Sequence, residues 1–184
     1  MARKPRIWFP GATYHITSRG NRRADIFYDL NDRYMYLSLL EKTRIQYPFH
    51  LHAYCLMTNH IHLLLETKDT PTKDIIKKLH SLYAMYFNKR HDTSGHLFQG
   101  RYHAEIIHDD TYFLEASKYI HLNPVEANMV ERPESYRWSS YPAYISSISN
   151  PHVCTKRILS YFPYPQKKSY QTYVNHVDAG SDPH

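Results

Sequence analysis

Between Phe49 and Glu66 the chain carries two strand-length runs, FHLHAYCLM and HIHLLLE, separated only by Thr58 and Asn59. A short polar break between two such runs closes an antiparallel hairpin. A two-residue loop pairs Met57 with His60 and Cys55 with His62. Side chains on a strand alternate with a period of two, so His60 and His62 project together while Ile61 and Leu63 face the opposite layer. The same parity sends His50 and His52 to the other face, which keeps the two His-x-His pairs from forming one site. A three-residue turn with a bulge would reverse that parity.

Other elements follow around this hairpin. TYHITSRGN alternates and ends in Arg-Gly-Asn, which predicts a strand from about Thr13 to Ser18 running into a turn. From Asn31 to Gln46, Tyr34, Leu37, Leu40 and Ile45 recur at near-helical spacing behind an Asn or Asp cap, and Pro48 stops the run. A second helix is expected from Thr70 to Arg90, with Thr70-Pro71 as cap and first turn and Ile75, Leu79, Leu82, Met85 and Tyr86 on one face. FQGRYHAEII predicts a fourth strand, and DDTYFLEASKYIHLN a third helix that begins with acids and ends at Pro124. The order βαββαβ plus a helix matches an α+β, ferredoxin-like split βαβ sandwich, an antiparallel sheet with two helices on one face. Its second face then needs a cover of its own.

Beyond that helix the texture changes. Prolines at 133, 142, 151, 163 and 165 punctuate a Tyr- and Ser-rich stretch with short helical patches. We divide the chain into a principal domain, residues 1–130, and a basic extension, residues 131–184, whose charge suits contact with a nucleic-acid backbone and which is expected to fray at DAGSDPH. Between 131 and 170 the extension carries Arg132, Arg137, Lys156, Arg157, Lys167 and Lys168 against Glu131 and Glu134.

Composition narrows the function classes. A chain of 184 residues, 42% apolar, supports one principal core. No run approaches the roughly 20 apolar residues that span a bilayer, and MARKPRIWFPG lacks a signal-length apolar stretch. A soluble, cytoplasmic protein with no membrane partner is expected. Cys55 and Cys154 form no CxxC pair, which argues against a disulfide framework and a cysteine-built zinc site. The formal charge is +6, and residues 1–23 hold six arginines and lysines with no acid. Such a block suits phosphate contacts, although a solvated basic arm has the same composition. The 18 tyrosines offer faces on which unpaired bases stack, but most are expected at the edge of the core.

Two imidazoles on one rigid strand can chelate a metal; in a chain with 14 histidines they can also be an ordinary hydrogen-bonded pair. Tyr119 and Asn123 lie four residues apart in the third helix and share a face. The amide oxygen of Asn123 with His60 and His62 would leave room for water and phosphate oxygens around Mg²⁺ or Mn²⁺. A phenol ionises only near about pH 10, so a tyrosine nucleophile needs help from a cation that polarises the phosphate. Spacing alone leaves Tyr119 open between nucleophile and packed aromatic.

YHITSRGN, CLMTNHIHLLLE, FQGRYHAEII and KYIHLNPVEANMV occur here in the order found in HUH single-tyrosine transposases, and the chain most resembles the REP-associated tyrosine transposases. The resemblance covers roughly residues 9–130, plus PESYRWSSYPAY. It implies a ferredoxin-like nuclease domain with His60 and His62 as the metal-binding pair and Tyr119 as the catalytic nucleophile. Asn123 would be the third ligand, where the insertion-sequence relatives generally use glutamine. It further implies attack on a phosphodiester in single-stranded DNA, a 5′-phosphotyrosine, a freed 3′-OH, and strand transfer by reversal. Imperfect hairpins with a short single-stranded guide would be the target. Arg19, Asn21, Arg22, Arg23 and Arg101 are the expected DNA contacts. Glu126 stands where an arginine is common, which weakens the case for phosphate contact just after the helix.

A different class, a non-catalytic module stacking single-stranded nucleic acid on a tyrosine-rich sheet, would have no reason to keep the His pair and the Tyr119-x3-Asn123 spacing together. A zinc hydrolase would need a third His or acid ligand and a general base, and neither is found. As a monomer the chain must complete the site alone; in a homodimer Tyr119 could serve the partner's histidines.

Overall fold

The computed structural model describes residues 7–176. Arg3, Lys4 and Arg6 of the basic N-terminal block and the DAGSDPH terminus lie outside the described residues.

Four strands, β1 (Thr13–Arg19), β2 (Phe49–Leu56), β3 (His60–Thr67) and β4 (His103–Ile106), form one antiparallel sheet in the order β2-β3-β1-β4. Helices α1 (Leu30–Gln46) and α2 (Thr72–His91) pack together against one face. This is the ferredoxin-like βαββαβ sandwich. The second face is covered by α3 (Asp110–Glu126) and by α4 (Tyr141–Ile145), α5 (Lys156–Leu159) and α6 (Gln166–Asn175).

The hairpin register is the one the two-residue loop requires: Cys55 pairs with His62 and Leu56 with Ile61. Further along, the ladder shifts between Leu51 and Ala53. A bulge at His52 inserts one residue, so His50 faces Glu66 and returns to the same face as His60 and His62. The opposite-face expectation for His50 and His52 is therefore corrected. The two pairs still remain separate, because His52 Nε2 is 2.7 Å from Glu66 Oε2 and His50 Nδ1 lies beside Cys154 Sγ at 3.7 Å.

Asp29 caps α1, accepting from the N–H groups of Asn31 and Asp32. Its inward face is Asp32, Tyr36, Leu37, Leu40 and Thr43, while Tyr34 and Ile45 are exposed. In α2 the buried residues are Thr72, Ile75, Ile76, Leu79, Tyr83 and Phe87, and Met85 is exposed. The expected faces were thus rotated. Two contacts between the helices account for this. Phe27, Tyr36 and Tyr83 meet edge-on or tilted at 5.2–5.7 Å, and the fully buried Asp32 carboxylate is held by Arg90 and His91 of α2 at 2.6 and 3.0 Å. Pro71 itself occupies the α2 cap position, and no side chain caps that end.

Two further boundaries differ from the sequence expectation. β4 is only four residues long, because Gly100 turns the chain at φ +63° and Phe98 makes only an isolated bridge to Gly20. α3 runs through Pro124 to Glu126, with the Ala127 N–H donating to the Asn123 carbonyl. A proline so close to a helix end sacrifices one bond to Ile120, and Asn128 at φ +54° ends the helix soon after.

The C-terminal stretch closes the β2 edge. Ser140 N–H donates to the Tyr54 carbonyl, and Leu56 N–H donates to the Trp138 carbonyl. Between this segment and α3 lies a buried polar cluster: His121 Nδ1 is 2.7 Å from the Tyr170 hydroxyl and Nε2 is 2.7 Å from Ser140 Oγ.

Burial pushes the pKa values of His80 and His121 down from 6.5 to about 3. The folded protein then refuses protons that the unfolded chain accepts between these values, so stability is complete above about pH 7 and declines as pH falls below 6.5. Each histidine contributes a slope of at most about 1.4 kcal/mol per pH unit. Urea midpoints measured from pH 7.5 to 5 should drop steadily; a flat profile contradicts this assignment.

Candidate active site

The β1–β3 ladder places Thr17 opposite His62 and Arg19 opposite His60. The even-numbered side chains of β3 and the odd-numbered ones of β1 therefore share the face that α3 covers. The turn after β1 holds this arrangement in place. A Cβ on Gly20 would lie 2.0 Å from the Ala24 carbonyl oxygen, so only glycine fits there. Gly20 N–H donates to the Asn59 carbonyl, and Asn59 Nδ2 donates to the Arg23 carbonyl, which ties the Arg-Gly-Asn turn to the hairpin loop.

Across this face α3 brings Tyr119 and Asn123 to the histidines within one chain. The Tyr119 ring stands edge-on to His62, with centroids 5.5 Å apart, and 44% of the residue is exposed. Asn123 is only 7% exposed, and its Oδ1 lies 3.0 Å from His60 Nε2. His60 Nδ1 is 2.7 Å from Asn59 Oδ1. A neutral imidazole carries one N–H. If Nδ1 donates to Asn59, the Nε2 lone pair of His60 faces the lone pairs of the Asn123 oxygen. His62 shows the same pattern, since its Nδ1 is 3.0 Å from His15 Nε2 and 3.3 Å from Thr17 Oγ1. Its Nε2 is buried without a hydrogen-bond partner among the described residues.

Electrostatics keep these rings neutral. Burial first, then the repulsion that any charge on His15 or His60 would exert and that of Arg19, pushes His62 down to about 2. Burial also lowers His60, against a smaller raising effect from Asn123, and burial lowers His15. Neutral imidazole is the form that ligates metals. Among the described residues no group of three or more His, Cys, Asp or Glu side chains is arranged to hold a metal ion. The donor set that does converge is mixed: two imidazole Nε2 atoms and one amide oxygen, with a buried orphan among them. An unpaired buried nitrogen costs free energy unless something occupies its lone pair, and this set fits a divalent cation with open positions.

The expected DNA contacts are distributed unevenly. Arg19 and Arg101 line one small cleft beside Thr17. Asn21, Arg22 and Arg23 sit exposed in a short 3-10 turn, where Arg22 and Arg23 adopt φ of +54° and +61° and make no ion pair among the described residues. His15 was missed as a site residue. It lies in the quoted YHIT motif at the correct parity, so strand alternation from Thr17 back to His15 was the available signal.

Residues 9–123 match the IS200-like transposase family, and the chain belongs to that family. The matched span runs from just before β1 to Asn123. A solved structure described as a REP-associated tyrosine transposase bound to a REP hairpin is similar in fold, with a TM-score of 0.65 at 19% identity over 79% of this chain and 86% of that one. A protein from Deinococcus radiodurans R1, described as a candidate transposase, aligns with a TM-score of 0.45 at 20% identity over 60% of this chain and 90% of its own. No curated protein matches the chain. No described helix is long and apolar enough to cross a membrane.

The Tyr119 hydroxyl has no hydrogen-bond partner among the described residues, whereas the Tyr170 hydroxyl is bonded within the core. Tyr119→Phe should therefore change unfolding free energy by less than about 0.5 kcal/mol, and Tyr170→Phe should cost about 1–3 kcal/mol. Chemical denaturation of both variants checks the contrast.

Proposed function

We propose that the protein cleaves and rejoins single-stranded DNA beside a hairpin, with Tyr119 as nucleophile. The observation that carries this reading is the convergence of a half-exposed tyrosine, two neutral imidazoles and a buried amide oxygen on one face, in a chain of the IS200-like transposase family. The fold shared with a structure described as bound to a REP hairpin supports a hairpin target.

In this reading the Tyr119 oxygen attacks phosphorus, the P–O3′ bond breaks, and the chain is left joined to the 5′-phosphate. The phenolic proton passes to solvent, and the departing 3′ oxygen takes up a proton to become a 3′-OH. Attack by another 3′-OH on the phosphotyrosine reverses the step and transfers the strand. His60, His62 and Asn123 would hold Mg²⁺ or Mn²⁺, which when bound polarises the phosphate and offsets charge on the leaving oxygen. In this reading Asn59 Oδ1 accepts from His60 Nδ1, and His15 Nε2 and Thr17 Oγ1 accept from His62 Nδ1, which would keep each ring in the tautomer that presents Nε2. Arg19, Asn21, Arg22, Arg23 and Arg101 are assigned to DNA. We also assign residues beyond 130 an accessory DNA-contacting role, carried by Arg132, Lys156 and Lys168 in particular. Arg157 is less available, since it pairs with Glu66 and lies over the Phe113 ring.

With a hairpin carrying a single-stranded flank and Mn²⁺, the protein should form a covalent adduct stable to denaturing gel electrophoresis. Tyr119→Phe and His60→Ala should each abolish it while keeping hairpin affinity within a few-fold. An adduct formed by the phenylalanine variant would remove Tyr119 from this role. Hairpin binding with no adduct from the native chain would favour a stacking module instead. His15→Leu should weaken Mn²⁺ binding by about 10–100-fold, read by electron paramagnetic resonance of free Mn²⁺, and unchanged affinity would contradict the tautomer assignment.

A further inference from the structure

On the other side of the sheet, between the first turns of α2 and the segment leading into β4, lies an open groove of about 1160 Å³. Its walls carry Lys73 and Lys77, one helical turn apart on α2, and Arg101 across from them. Phe98, Tyr102 and Trp8 supply aromatic surface. No acidic side chain lines it, and Lys73, Lys77 and Arg101 make no ion pair among the described residues. Two of its aromatics are held by polar bonds that fix their rings: the Tyr102 hydroxyl donates to Thr72 Oγ1 at 3.0 Å and Trp8 Nε1 donates to Thr67 Oγ1 at 3.2 Å. Phe98 is stacked on His80 at 4.1 Å. The walls are thus pre-ordered.

The groove does not end at the sheet edge. A second cleft of about 200 Å³ shares Phe98, Arg101 and Tyr102 with it and continues to Thr17 and Arg19. Arg19 stands opposite His60 in the β1–β3 ladder. β4 is the edge strand and begins only at His103, and the chain just before it, turned at Gly100, forms the rim over which the two clefts join.

We propose that this groove is the channel for the single-stranded flank of the DNA substrate, which runs from the His60 and His62 face past Arg19 and Arg101 to Lys73 and Lys77. Alternating cationic and aromatic groups match the two surfaces of an unpaired strand: phosphates take the lysines and arginines, and bases take the aromatic walls. A basic protein surface would find no complementary acid here, and an acidic peptide would have no use for the aromatic faces. The assignment rests on the DNA-processing reading given above, which names the chain but not the path of the strand.

The test uses the full chain carrying Tyr119→Phe, without added metal, so that binding is read apart from cleavage. Two fluorescent hairpins are compared, one blunt and one with flanks of about ten nucleotides, within the range of single-strand sites. Lys73→Glu together with Lys77→Glu, both at exposed positions, should lower affinity for the flanked hairpin by about tenfold and reduce its salt dependence by about two ions. Affinity for the blunt hairpin should not change. Equal losses on both hairpins would give the groove to duplex, and no loss on either would leave it without DNA; each overturns the proposal. Tighter binding of a ribonucleotide flank would assign it to RNA and overturn it as well. As a direct readout, oligo(dT) should quench Trp8 fluorescence in a Trp138→Phe background, and no quenching counts against the channel. Failure of adduct formation would sink the chemistry of the previous section without altering these binding results, so the two claims fail separately.

Discussion

The ladder between β1 and β3 is the constraint on which the rest of the molecule depends. Seven consecutive pairs, from Thr13 with Glu66 to Arg19 with His60, lie at the centre of the sheet. A slip of one residue would exchange the faces. It would turn His60, His62 and Glu66 toward α1 and α2 and turn Ile61, Leu63 and Leu65 toward the site face under α3. The apolar side chains of β3 therefore hold the register, and the histidines take their position from it at no separate cost.

With that face defined, its cover determines its chemistry. α3 lies over it because the segment after Tyr136 adds to the β2 edge and locks α3 from outside through His121, Ser140 and Tyr170. The result is a face that is dry beneath and open at one side. Burial strips the charged forms of His15, His60 and His62 of their solvation, so the rings stay neutral and keep lone pairs available. Tyr119 stands at the open side, where a substrate can reach it.

The opposite edge of the sheet has a complementary character. β4 is short and weakly paired, and the glycine-turned segment before it leaves clefts on both sides of the rim. Cations gather there with no acids between them, while the acidic side chains of the α1–α2 interface are already neutralised by Arg90 and His91. Lys73, Lys77, Arg101 and Arg19 thus line the two clefts, and no acidic side chain lines either, in a chain of the IS200-like transposase family.

Local rules of backbone geometry made much of this legible. The two-residue loop and strand alternation determined that Cys55 faces His62 and that His60 and His62 share a face, and the helical repeat determined that Tyr119 and Asn123 point the same way. Those outcomes follow from periods that the chain obeys whatever surrounds it. Where a single residue shifts the count, the sequence was silent. The bulge at His52 reverses the facing of His50, and the buried Asp32 and the aromatic cluster rotate the inward faces of α1 and α2. What only the tertiary structure decided is the meeting of His60 with Asn123, 63 positions apart, the contact of His15 with His62, and the neutrality of all three rings. Proximity across the fold and exclusion of water are properties of packing, and no local period encodes them.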